Sequence, residues 1–452
     1  MTTSHTDRMP LPKATLRETL GVLLVVAVPI GARGVIIRRP RVVAVVEKLD
    51  LDRRAVRRVQ RLRDKYGAGP LLLRLPVRRQ ALILAPDHVR RVLAESPEPF
   101  ATASSEKRAA LSHFQPQGVL ISHGRERAER RRYNEAVLDA PRPVHRLGER
   151  FSAVVDEEAA PLLSEARRRG TLDWDAFAGA WFRVVRRVTL GDAARDDQEL
   201  TDLINQLRSD ANWAFLRRKR TELRERFDAR LGEHLARAEP GSLAAVMAET
   251  PASAETAPAQ QVPQWLFAFD PAGMAAIRAL ALLAAHPEQA ARAREEIAAR
   301  EGSARLDLPF LRACVLESLR LWPTTPMVLR QTTAATTWET GEMPARTGVA
   351  IFAPFFHRDD RRRPEADRFA PDLWLEGRAA EDWSLIPFSG GPASCPGRNL
   401  VLLVTSAMLA SLLRGTHFHL DPPNRLDPRR PLLGTLNHAS LRFRVDRADA
   451  AG

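Results

Sequence analysis

The sequence predicts a mainly α-helical single domain with a minor β part. Three observations carry this. Eight stretches between residues 126 and 321 show helical spacing of apolar residues, whereas β-like runs are short and sit on either side of them. No βαβ rhythm and no internal repeat occurs, which excludes a doubly wound sheet and a solenoid. The chain has 452 residues with 44% hydrophobic content, enough to bury one large core.

In chain order, residues 1–14 read as a disordered leader. Leu20 to Ile37 is apolar except for Arg33 and is interrupted by Pro29, Gly31 and Gly34. That is near the minimum length of a membrane span, and the breaks favour a segment packed on the domain or lying at a membrane surface. Residues 54–66 have helical spacing and end at Gly67. Leu71–Leu75 and Ala81–Leu84 read as strands. Pro86-Asp87-His88 reads as a helix start with Asp87 as cap. Helices are expected over 126–138, 144–168, 174–190, 198–211, 214–237, 264–285, 288–300 and 308–321. Pro251–Pro263 is rich in Ala, Pro, Ser and Gln and reads as a loop. Strands are expected near 348–353 and over Leu441–Val445, with an apolar helix over Arg398–Leu413. The resulting division is 1–52 as leader and apolar segment, 53–446 as the domain, and 447–452 as a tail.

The formal charge is +14, carried almost entirely by arginine in runs such as Arg53–Arg63, Arg125–Arg132, Arg217–Arg226 and Arg358–Arg363. Such runs are solvated helix faces, or a docking face for an acidic protein or anionic lipid. Nucleic acid is excluded as a partner, because no zinc pattern, RNA-binding signature or aromatic interleaving accompanies the charge. Two cysteines, Cys314 and Cys395, are too few for a disulfide framework. With no convincing secretory cleavage site, they predict a reducing, cytoplasmic setting with thiols free to bind metal, with membrane association left open by residues 20–37.

The chemistry concentrates in Phe388-Ser389-Gly390-Gly391-Pro392-Ala393-Ser394-Cys395-Pro396-Gly397-Arg398. Glycines allow sharp turns and close approach to a flat ligand. The positive end of the following helix is expected to lower the thiol pKa and favour thiolate. A buried structural cysteine at a helix start fits these residues equally well when they are taken alone.

The segment resembles the haem-thiolate signature Phe-x-x-Gly-x-x-x-Cys-x-Gly of the cytochrome P450 family, matched at Phe388, Gly391, Cys395 and Gly397. The resemblance implies the family's fold and haem b, with Cys395 as axial iron ligand. It implies that Phe388 packs near the haem and that Gly391 and Gly397 permit the loop. A thiolate ligand favours O–O cleavage at the iron. Glu317-Ser318-Leu319-Arg320 lies upstream, with Arg320 75 positions before Cys395. It resembles the family's Glu-x-x-Arg element, which implies a structural brace for the haem loop. Arg330 falls where the family places an arginine on a haem propionate. His357-Arg358-Asp359 and His286-Pro287-Glu288 resemble further family segments, so the resemblance covers roughly residues 53–445.

Four departures qualify it. The family's acid–threonine pair falls on Asp270-Pro271, the candidate catalytic positions. The acid is present, and the hydroxyl is replaced by a proline that cannot donate and that frees the carbonyl of Phe267. The first partner of the family's propionate-binding pair is missing. Arg131 is then expected on a propionate, with Arg130 as rival. Ala393 stands where Arg or His often binds a propionate. Leu373 replaces the arginine that joins Glu317 and Arg320, and Arg368 is the candidate substitute.

The resemblance implies a monooxygenase that inserts one oxygen atom from O2 into an organic substrate. Asp270-Pro271 leaves three readings. In one, water or a substrate hydroxyl replaces the threonine. In another, the chemistry is peroxide use, dehydration or rearrangement. In the third, the protein is a weakly active or non-catalytic haem protein. No flavin- or nicotinamide-binding segment is legible. Electrons are therefore expected from a ferredoxin with its reductase or from a flavin-containing reductase. A hydrophobic small-molecule substrate is expected in a pocket lined from 100–120, 195–215 and 325–330. Leu111, Phe114, Phe215, Phe267 and Met274 are its apolar candidates, although such residues are more often core. Arg208 and Arg217 either meet a carboxylate or face water.

Overall fold

A computed structural model of the chain describes residues 10–300 and 306–447. It is mainly helical with small sheets, as the periodicity predicts. The architecture is organised around one helix, Val262–Ala285, whose surface is apolar on almost every side. A helix of that kind must be surrounded. It packs against Trp174–Leu190, Pro309–Leu321 and Arg398–Leu413, and the last of these also lies on Gly148–Arg169. Among the described residues Pro258–Ala285 is the one helical stretch long and apolar enough to cross a membrane, and 83% of its most apolar window is buried inside the fold.

The β part forms a mixed five-stranded sheet and a three-stranded antiparallel one, with a separate hairpin. In the first, Leu71–Leu73 pairs with Gln80–Leu82, which runs parallel to Gly348–Phe352. The latter pairs antiparallel with Met327–Thr332, and Phe100–Ala101 closes the edge. In the second, Arg442–Arg447 lies between Thr171–Asp173 and Thr416–Asp421. Two buried clusters result, a large helical one and a smaller one beneath the first sheet.

Helix ends differ from the periodicity where a side chain or proline dictates the turn. The helix expected from 214 starts at Thr221, because buried Asp210 accepts from both Arg217 and Arg220 at 2.6 Å and folds the chain back between them. The helix expected from 144 starts at Gly148, after His145 Nδ1 accepts the N–H of Leu147. Asp87 is not a cap. Pro86 takes the first helical position, Ala85 is the residue before it, and Asp87 lies inside the first turn.

The N-terminal segment is integrated into the fold. Residues 10–14, expected to be disordered, pair with the first sheet. Leu11 and Ala14 are buried, and Leu72 exchanges backbone bonds with Pro12 and Ala14. Residues 1–9 of the expected leader, and 448–452 of the expected tail, lie outside the described residues. The apolar segment forms Leu16–Val22, a π-turn Leu23–Ala27 and Val28–Ala32. Pro29 has no N–H for the regular ladder, which accounts for the widened turn just before it. Val22, Val26 and Ile30 face the smaller core, and Arg33 is buried in a 2.6 Å ion pair with Asp52.

Candidate functional site

The cysteine loop is a folded turn. The N–H of Cys395 donates to Phe388 O at 2.9 Å, and that of Ser394 to Gly391 O at 3.0 Å. Gly391 has φ +62°, and a Cβ there would lie 2.1 Å from the carbonyl oxygen of Leu93. Only glycine fits, so the loop seats directly on the Pro86–Ala94 helix. Gly397 has φ −89°, and an added Cβ would come no closer than 3.8 Å to Leu138. The backbone does not demand that glycine, contrary to the expectation that both glycines permit the loop.

The Cys395 thiol is pushed up by burial, against the opposing pull of the Gly397 N–H and of Arg131 and Arg398. The expected lowering by the helix start is therefore outweighed by desolvation. A coordinated metal cation reverses this balance, since its charge displaces the thiol proton.

Cys395 opens onto a mostly apolar cavity of about 310 Å³. Phe388, Ala393 and Cys395 line one part of it. Ala268, Asp270, Pro271 and Met274 of the Val262–Ala285 helix line another. Five cations border it as well: Arg38, Lys107, Arg127, Arg131 and Arg330. Arg330 is 3% exposed and is held by Ser96 Oγ, Ser389 Oγ and its neighbour's carbonyl. Its pKa is pushed down to about 10, by burial first and then by Arg127. Lys107 is lowered well below the ordinary lysine value by burial, with Arg330 and Arg127 adding to it. Among the described residues no carboxylate forms an ion pair with Lys107, Arg127 or Arg330. Arg330 is buried and Lys107 and Arg127 are half-buried, and cations clustered away from water without an anion are costly. The donor set, one thiol and an unbalanced cationic wall, fits a flat ligand with a thiophilic metal and two carboxylates.

Arg131 does border the cavity, with Glu135 at 2.5 Å and the carbonyl of Ser394 as partners. Its rival Arg130 is turned away, bonded to Ser122, Glu126 and the carbonyl of Glu255. Arg127, four positions before Arg131, is the cavity cation that the basic run concealed. Lys107 carried no signal at all.

Asp270 sits on the cavity wall, and its carboxylate accepts from the guanidinium of Arg208, itself 2% exposed. Arg208 also donates to Asn205 and to the carbonyl of Ile36, and its guanidinium lies 5.0 Å over the Phe267 ring. Arg208 thus meets a carboxylate, but an internal one, and Arg217 pairs with Asp210 instead. Pro271 lies within the helix beside the cavity.

The apolar candidates divide. Phe267 and Met274 line the cavity, Leu111 and Phe114 are core, and Phe215 is 75% exposed. The 100–120 and 325–330 segments contribute lining residues, whereas 195–215 contributes none; Val35, Ile36 and Arg38 do so instead. Asn212 pins that segment by bonding the N–H of Ile36 and the carbonyl of Ile37, so it stands between the 198–211 helix and the cavity.

Glu317 and Arg320 are both fully buried and doubly bonded, at 2.6 and 2.8 Å. Arg320 also donates to the carbonyls of His357, Glu365, Ala366 and Arg368. Arg368 therefore serves through its backbone and does not replace the missing arginine. The indole N–H of Trp374 does, donating to Glu317 at 2.8 Å, with the N–H of Ala370 at 2.9 Å. His357 ties this brace to the cysteine loop, since its Nε2 accepts the N–H of Ile386 at 3.0 Å.

Comparison with known proteins meets this geometry over its central part. The cytochrome P450 family model matches residues 270–441. Probable cytochrome P450 4s3 of Drosophila melanogaster is 30% identical over 177 residues, 38% of this chain and 35% of that protein. Cyclooctat-9-en-7-ol 5-monooxygenase of Streptomyces melanosporofaciens is 37% identical over 139 residues, 29% of this chain and 30% of its own. Beta-amyrin 24-hydroxylase of Glycine max is 32% identical over 166 residues, 31% of this chain and 32% of its own.

Over residues 270–441 the chain is similar to the cytochrome P450 family.

Each match spans about a third of the relative's length. The matched P450 region holds Asp270, Pro271, Glu317, Arg320, Arg330 and the Cys395 loop, and the family's cofactor is haem b. Three cavity residues from the N-terminal side, Lys107, Arg127 and Arg131, precede the region matched by the family model.

Proposed function

We propose that this protein is a haem-thiolate monooxygenase that inserts one oxygen atom from O2 into an apolar organic substrate. The observation that carries it is the pairing, in one cavity, of the Cys395 thiol with the anion-free cations Lys107, Arg127 and Arg330. Cys395 is the metal ligand, and the three cations, with Arg131, hold the haem carboxylates. Bound there, haem b supplies the oxygen-activating chemistry. Phe388 and Gly391 shape the ligand loop, and Glu317, Arg320 and Trp374 keep it seated. Substrate occupies the part of the cavity lined by Phe267, Asp270, Pro271 and Met274.

Electrons come from a separate ferredoxin-type or flavin-containing partner. The solvent-exposed Arg125 and Arg132, on the helix that also carries Arg127 and Arg131, support docking of an acidic protein. Peripheral membrane contact is supported by a stripe on the first helices. Leu16, Leu20, Leu24 and Val28 are 62, 56, 65 and 55% exposed. Their spacing of four places them on one face.

One observation favours a second reading. The cavity acid is already held by Arg208, and its neighbour Pro271 has neither hydroxyl nor N–H. A proton route through this pair is therefore less open than one through an acid and a threonine, which favours peroxide-driven or O2-independent chemistry. Two measurements test these readings. The CO spectrum of the reduced protein should show the strongly red-shifted thiolate band, and the shorter-wavelength band or no haem would sink both. Turnover with ferredoxin and NAD(P)H, compared with peroxide alone, then separates them.

A further inference from the structure

The cavity carries two separate groups of charge. Lys107 and Arg330 sense Arg127, and Lys107 also senses Arg330. Arg38, on the segment that walls the cavity beside Val35 and Ile36, senses Arg33, Asp270, Asp52 and Arg208 instead. In this second group the acids are already matched. Asp270 is held by Arg208 and Asp52 by Arg33. Arg38 is the cation of this group that borders the cavity without an acid, and among the described residues it forms no ion pair.

The guanidinium of Arg38 is nevertheless held firmly. One terminal nitrogen donates to the carbonyl of Gly34 and the other to that of Thr324. A guanidinium has five N–H donors, so donors remain. Arg38 is half-buried, and burial first and then Arg33 push its pKa down to about 10. Its segment is pinned by Asn212 at Ile36 and Ile37, and Arg208 donates to the carbonyl of Ile36 at 3.3 Å. A half-buried, pre-positioned cation beside the apolar Val35 and Ile36 favours a ligand with one anionic end and an apolar body. The nearby Arg278, also without an ion pair among the described residues, is spent on the carbonyls of Leu436 and Trp322 and does not border the cavity. Arg38 is therefore the one excess cation of this group that a ligand in the cavity meets, and a single carboxylate matches it.

We propose that Arg38 is a specificity-determining residue, and that the substrate is an apolar molecule bearing one carboxylate that pairs with the Arg38 guanidinium. This rests on the reading of the cavity as haem and substrate chamber.

The test uses the full-length, haem-loaded protein. A panel of straight-chain and polycyclic carboxylic acids is titrated beside the corresponding methyl esters. Binding is read from the haem absorption shift and by calorimetry. At least one acid should bind about tenfold or more tightly than its ester, a difference of about 1.4 kcal/mol. Arg38→Gln should erase that preference while leaving ester binding and the CO band in place, and Arg38→Lys should retain part of it. Equal affinity for acid and ester overturns the proposal. So does a preference that survives in Arg38→Gln, or a loss in that variant that is equal for acid and ester, which marks a merely structural role. Failure of the whole panel to bind a protein with the thiolate CO band also overturns it. Loss of that band in the unaltered protein overturns the haem reading instead.

Discussion

Two buried acid–arginine pairs flank the cavity region, and they are built differently. Glu317 receives two bonds from Arg320, one from the Ala370 N–H and one from the Trp374 indole, and Arg320 is used up on four carbonyls. Every polar atom there has a partner inside the protein. Asp270 and Arg208 are joined to each other, but Asp270 borders the cavity and the buried Nε of Arg208 has no partner. A saturated buried network specifies one geometry and does nothing else, whereas a partly saturated one beside a cavity can still exchange partners. The first is a brace, and the second is a place where ligand, water or proton can act.

The largest expected effect tests the brace. Arg320→Ala leaves the Glu317 carboxylate buried against two remaining donors and should cost about 3–5 kcal/mol. Denaturant unfolding and haem content report it, and a fully haem-loaded, stable variant would remove the bracing role. Asp270→Asn should cost less, about 1–3 kcal/mol, because water in the cavity can solvate the freed Arg208. A loss as large as that of Arg320→Ala would erase the contrast between the pairs. Trp374→Phe removes one hydrogen bond to a charged acceptor and should cost about 1.5–3 kcal/mol, which thermal melting resolves. No change there would mean that Glu317 is satisfied without the indole.

The link from brace to cysteine loop predicts a pH dependence. His357 is neutral in the fold, its pKa pushed down to about 3 by burial first and then by Arg320 and Arg363. The unfolded chain protonates this histidine near 6.5, so below that pH the unfolded state binds more protons. Stability is therefore full above 6.5 and falls as pH drops toward 3, by up to about 1.4 kcal/mol per pH unit from this group. His357→Asn should flatten the acid limb of the stability profile, and an unchanged slope would assign that limb to other groups. The smallest effect on stability is expected from Pro271→Thr. It should leave haem content intact and raise the fraction of electrons that reach product. Unchanged coupling would mean that proline has no mechanistic role.

Much of this was legible along the chain. The Phe388–Arg398 loop and the Glu317–Arg320 spacing are local patterns, and local patterns report local geometry. The helices over 174–190, 198–211 and 398–413 match their apolar spacing to the residue. The cavity cations were less legible, because arginine is everywhere in this sequence and its position in a run says nothing about which residue turns inward. Arg131 and Arg130 are adjacent, and only helix orientation separates the one at the cavity from the one turned toward Glu255. Trp374 was hidden because the missing arginine at Leu373 directed attention to another arginine, whereas the fold supplied an indole N–H one residue later.

By itself the sequence determined the helical class, the cysteine in a glycine-rich loop before a helix, and the acid–proline pair on the central helix. These follow from periodicity, glycine and proline stereochemistry, and fixed spacing. Only the tertiary structure decided who partners whom. It gave Asp270 to Arg208 across 62 positions and brought Arg38 to the cavity wall. It also left Lys107, Arg127 and Arg330 together without an acid. Charge pairing depends on distances of a few ångströms between residues far apart in the chain, and the periodicity of a sequence carries no record of them.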